Sequence, residues 1–165
     1  MPEQRTIRKA NQKLRAGRAP STAAGEFVRE EIDHIREGKH GARSTKQAIA
    51  IGLSKARRAG VPLRPPRGGN PRTRKAAERA YEVGQHERKP RAPSKRRGRA
   101  VERALQREPH AAASHRALSA QAHSSAVRRG RTSRSIAAKR AVRTKGPTER
   151  RAAARKAART RRITG

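Results

Sequence analysis

The sequence predicts an all-α protein: a small helical hairpin, arranged like a helix-turn-helix, flanked by largely disordered, Ala/Arg-rich, helix-prone tails. Three observations lead there. Leu, Ile, Val and Phe number only 19 of 165 residues, against 45 Lys and Arg, 12 acidic residues and a formal charge of +33. Burial on that scale does not offset the conformational entropy of a whole chain of this charge. Alanine (31 residues) and arginine (34) dominate instead, and both are strong helix formers. Finally, the larger apolar residues concentrate between positions 21 and 63, where charge is also nearest to balance.

Residues 1–20 read as a basic N-terminal arm, with six basic side chains and one acidic. The hairpin module spans 21–63. Its first helix can be capped by Ser21 or Thr22, carries Glu26, Glu30 and Glu31 in its early turns, and can close at Gly38 in the left-handed conformation. At 100° per residue Ala24, Phe27, Val28, Ile32 and Ile35 fall in one arc, an apolar stripe. After the break at residues 38–43, Ser44-Thr45-Lys46-Gln47 reads as a capping box, opening a second helix that runs to about Ala59 and is stopped by Gly60 and Pro62. Ile49, Gly52, Leu53, Ala56 and Ala59 share its inner face, and Lys46, Ser54, Arg57 and Arg58 the outer one. Gly52 costs about 1 kcal/mol of helix propensity relative to alanine, which close approach of the first helix would explain.

Residues 64–72 form a Pro/Gly-rich linker. A short helix is expected over 73–89, introduced by Asn70-Pro71 and carrying Ala77, Ala80, Tyr81 and Gly84 on one side. Residues 90–165 are a basic tail of 23 basic and three acidic side chains, punctuated by Pro93, Pro109, Gly130 and Gly146-Pro147. Such blocks are expected to be disordered alone and helical once phosphates neutralise them. Within the tail, Ala137 to Lys145 repeats as Ala153 to Arg161 at an offset of 16.

This composition excludes several functions. Without cysteine there is no disulfide framework or thiolate metal site, and no apolar run reaches the 18 residues of a membrane span. The six histidines show no i, i+4 pair, so neither metal nor cofactor is expected. Glu30, Glu31, Asp33 and Glu37 read as a solvated face rather than an acid/base cluster, and no enzyme is expected. A charge of +33 calls for a polyanionic partner, and arginine's forked geometry suits phosphate. With only Phe27 and Tyr81 as aromatics, base-stacking platforms for single strands cannot be built, which favours the backbone of duplex DNA over RNA. The residues expected to bind it are Lys39, Arg43, Lys46, Arg57 and Arg58 in the module and Lys139, Arg140, Arg143, Arg155, Lys156 and Arg159 in the tail repeats. The basic turn Lys39 to Lys46 could also seat a phosphate on its free N–H groups. Alternatives are an RNA- or ribosome-associated protein, or an interaction module recruiting a protein partner through Phe27, Ile51 and the acidic face.

The stretch Glu26 to Val61 resembles a family of small, basic, uncharacterised bacterial proteins with the core K-H-G-x-x-S-x-K-Q-A-x-A-I-x-L-S-x-A-R-R-x-G, met here as Lys39 to Gly60. Some members are labelled DNA-binding or plasmid stabilisation proteins. The resemblance implies a nucleoid-associated or plasmid-maintenance role in the bacterial cytoplasm.

Overall fold

The computed structural model describes residues 2–92, 94–144 and 146–164, so the expected break at Pro93 and the last residue of the first repeat, Lys145, lie outside it. Every regular element among these residues is helical: α1 (Gln4–Arg15), α2 (Pro20–Arg36), α3 (Thr45–Arg58), α4 (Pro71–Gly84), α5 (Lys95–Gln106), a 3-10 turn (His110–Ala113), α6 (His115–Arg128), α7 (Gly130–Thr144) and α8 (Pro147–Thr164). None is long and apolar enough to cross a membrane. The chain divides into two units, 1–119 and 120–165.

The first unit is built around α2, whose expected stripe is buried. Its N-terminal half packs Ala23, Ala24 and Phe27 against Ala10 of α1, Ala56 of α3 and Val61, while Ile32 and Ile35 pack with Ala42, Ala48, Ala112 and Ala113. Residues 1–20 are therefore not a free arm. Ile7, Ala10 and Leu14 recur at i, i+3 and i+7, and that stripe lies on the core while Arg5, Arg8 and Arg15 face outward. Helix α2 also begins earlier than expected. Pro20 occupies the first turn, where its missing N–H is no loss, so Ser21 and Thr22 are already helical and neither caps.

Gly38 closes α2 at φ 75°, as expected, with the Lys39 N–H donating to the His34 carbonyl at 3.0 Å. Ser44 caps α3 by accepting from the Gln47 N–H at 3.3 Å. The return bond is displaced by one residue: the Gln47 carboxamide accepts from Arg43, not from Ser44. Burial on α3 centres on Thr45, Ala48, Gly52 and Ala56, which leaves Ile49 half-buried. The reason is Gly52. A Cβ there would stand 2.7 Å from the Val28 Cα, so the axes approach most closely at 52 and its i±4 neighbours, rather than Ile49, point inward.

Asn70 caps α4 by accepting from the Arg72 N–H at 2.9 Å, and Ala77, Ala80 and Gly84 are buried with Tyr81 partly so. Farther along, the structure departs from a disordered tail. Gly41 donates to the Leu105 carbonyl (2.8 Å), Ala42 to that of Pro109 (3.2 Å) and the Thr45 hydroxyl to that of Ala112 (2.7 Å). Residues 105–113 thereby complete the second half of the core.

In the second unit, α7 and α8 are helical although every side chain described on them is exposed, Ile136, Val142 and Ile163 included. The expected disorder is replaced by helix, consistent with the high propensity of Ala and Arg.

Candidate nucleic-acid interface

Electrostatics in the first unit begin with carboxylates turned inward. Glu26, Glu30 and Glu31 are buried, which corrects the expectation that Glu30 and Glu31 lie on a solvated face. Glu26 pairs with Lys13, whose hydrogen bond holds its carboxyl below the ordinary range despite the opposing effect of burial. Lys55 reaches Glu31 at 2.7 Å and Glu30 at 3.7 Å. At the surface Glu3 lies 3.1 Å from His34, a hydrogen bond that lowers its pKa, and Lys39 lies 2.9 Å from Glu37, which raises the pKa of the lysine. Much of the acidic minority is thus occupied near α2, and the basic majority is left to face solvent.

The five predicted module residues separate. Lys46 and Arg58 are exposed. Arg43 is exposed with its Nε 3.6 Å from Glu108, and Lys39 is exposed but engaged by Glu37 and Glu3. Arg57 is 7% exposed, donates from Nε to the Leu63 carbonyl at 3.1 Å, and has its pKa lowered by burial, so it serves the α3 terminus rather than the surface. Within the 39–46 turn the N–H groups of Gly41, Ala42 and Arg43 are taken by the Leu105 and Pro109 carbonyls and the Gln47 carboxamide, so these three are not available to a phosphate.

Arg58 belongs instead to a basic groove of about 900 Å³, where Arg79 of α4 and Arg91 and Arg97 around the start of α5 join it. Sequence reasoning missed these three partners, because periodicity within a helix does not reveal which helices become neighbours. Along α5 itself Lys95, Arg99 and Arg103 recur at i, i+4 and i+8, and no residue of that helix is buried.

In the second unit Lys139, Arg140 and Arg143 are exposed on α7, and Arg155, Lys156 and Arg159 on α8. Helix α8 adds Arg151 and Arg162, which with Arg155 and Arg159 fall within about 80° at 100° per residue. That stripe is legible in the spacing i, i+4, i+8, i+11, whereas the repeat covers 153–161 alone and so omits Arg151 and Arg162. Its rise of 1.5 Å per residue carries it about 16 Å along the axis. Residues 130–164 hold 13 basic side chains and one acidic, Glu149.

Two further expectations change. Phe27 is fully buried, so it cannot present itself to a protein partner, whereas Ile51 lines an apolar groove of about 490 Å³ with Leu53, Pro66 and Ala77. His34 and His40, unremarkable in sequence spacing, are brought beside Glu31 by the turn at Gly38. Comparison with family models, curated proteins and solved structures finds no match to this chain.

Proposed function

We propose that this is a non-enzymatic, sequence-tolerant DNA-binding protein that holds duplex through Arg and Lys contacts to the phosphate backbone, in a nucleoid-associated or plasmid-maintenance role in the bacterial cytoplasm. The observation that carries the reading is the segregation of charge. Glu3, Glu26, Glu30, Glu31 and Glu37 are buried or engaged by Lys13, Lys39, Lys55 and His34, whereas the basic residues of α5, α7 and α8 stand on helices none of whose described residues is buried. Helices studded with arginine at i, i+4 spacing suit a regular row of phosphates, whose neutralisation releases counterions. Stacking on unpaired bases has little to draw on, because neither aromatic side chain is exposed.

Competition with the full chain tests the reading. Unlabelled duplex of unrelated sequence displaces labelled duplex at equal concentration, and structured RNA of the same length competes more weakly. Stronger competition by RNA would transfer the activity to an RNA-associated protein. Failure of both to compete would remove nucleic acid as the partner.

A further inference from the structure

At the end of α2 lies a cluster that the nucleic-acid reading does not use. Glu31, His34 one turn later and His40 beyond the Gly38 turn each offer one ligand atom, all within 4.8 Å of one another. The geometry points to a binding site for a divalent transition ion of the zinc type, held by Glu31, His34 and His40.

The tautomer of His40 is the first argument. Its Nδ1 lies 3.1 Å from the Gly41 carbonyl, which can only accept, so in the neutral ring Nδ1 carries the proton and Nε2 keeps its lone pair. That Nε2 lies 3.5 Å from Oε1 of Glu31. His34 is likewise steadied by an outer carboxylate, with Nε2 3.1 Å from Oε1 of Glu3. Anchoring of one ring nitrogen while the other is left to ligate is the arrangement seen around protein-bound zinc.

Glu31 supplies the second argument. It is 1% exposed, and neither carboxylate oxygen accepts a hydrogen bond. Lys55 Nζ stands 2.7 Å from Oε2 without the alignment of a hydrogen bond, and Oε1 faces the imidazole. A cation between Oε1 and the His40 Nε2 would give a partner to Oε1, which accepts no hydrogen bond, in a buried carboxylate whose other oxygen is paired with Lys55. Carboxylates outnumber cations around the site: Glu3, Glu26, Glu30, Asp33 and Glu37 line the neighbouring 280 Å³ pocket against Arg5, Lys9 and Arg29, although Lys55 stands beside Glu31 itself.

Two imidazole nitrogens and one carboxylate oxygen suit zinc and its neighbours rather than magnesium or calcium, which take oxygen ligands. Tetrahedral ligation at about 2.0–2.2 Å sets ligand atoms about 3.3 Å apart. The Glu31–His40 pair is already near that spacing, and His34 has at most about 1.5 Å to close, given the 4.8 Å limit on the cluster.

Calorimetric titration of zinc into the untagged full chain, paired with the visible spectrum of the cobalt-loaded protein, tests the site. The expected result is one ion per chain and cobalt bands of low-symmetry, four-coordinate type. His34→Gln and His40→Gln each weaken zinc binding by about 10-fold or more and abolish the bands, with helicity by circular dichroism unchanged. His123→Gln, on α6, leaves both readouts as they were. Zinc that fails to saturate at one ion per chain, or binding that survives substitution of both His34 and His40, overturns the proposal.

Discussion

Single residues decide how close the helices stand. An alanine methyl at Gly52 would lie 2.7 Å from the Val28 Cα and 3.0 Å from the Phe27 carbonyl oxygen, both backbone atoms that cannot turn aside. Gly52→Ala gains about 1 kcal/mol in helix propensity, but overpacking of this kind costs about 1–3 kcal/mol. The expected outcome is a net destabilisation of about 1 kcal/mol, read as a lower urea midpoint; a higher midpoint would show that α2 and α3 do not meet here. Glu26 sets a pH dependence. Its carboxyl is lowered by the Lys13 hydrogen bond, so its contribution to stability is present above the ordinary value of 4.5 and is lost as pH falls through the lower folded value. Lys13→Met removes that bond and shifts acid unfolding to higher pH. Superimposable acid-unfolding curves for the two proteins would contradict the pairing.

Elements were legible in the sequence wherever local chemistry specifies them. Gly38, Ser44, Gly60 and Asn70 mark helix ends through backbone freedom or a side-chain acceptor, and the apolar arc of α2 is a matter of spacing alone. Less legible was what each element packs against. Helix α1 carries its stripe on only Ile7, Ala10 and Leu14 amid six basic residues of the first twenty, so charge masked a core helix. The 105–113 segment contributes mainly alanines and backbone carbonyls to the core, and neither announces burial in a sequence. Deletion of residues 2–18 separates a packed helix from a loose arm. It uncovers Ala23, Ala24 and Phe27, and the expected result is a large fall in the urea midpoint with loss of cooperativity. An unchanged midpoint would restore the arm.

At the level of the whole molecule, a chain short of large apolar residues builds its first unit from alanine contacts, a few Ile, Val and Phe side chains and inward ion pairs. Much of its remaining charge stands on α5, α7 and α8, none of whose described residues is buried. The candidate interface was legible in outline, because charge density is a property of composition. Its particulars required the fold: Arg57 left the surface when α3 closed against Leu63, and Arg79, Arg91 and Arg97 joined Arg58 only once α4 and α5 were placed. Affinity for duplex DNA as a function of salt, from about 50 to 200 mM, is the direct measurement of what that charge is for. With about 6 to 10 phosphates neutralised, log K is expected to fall with log salt at a slope of about −5 to −9. Replacing Arg151, Arg155, Arg159 and Arg162 together by glutamine should reduce the steepness by about 4. A flat dependence for the native chain, or a slope untouched by the fourfold substitution, would contradict phosphate binding by these helices.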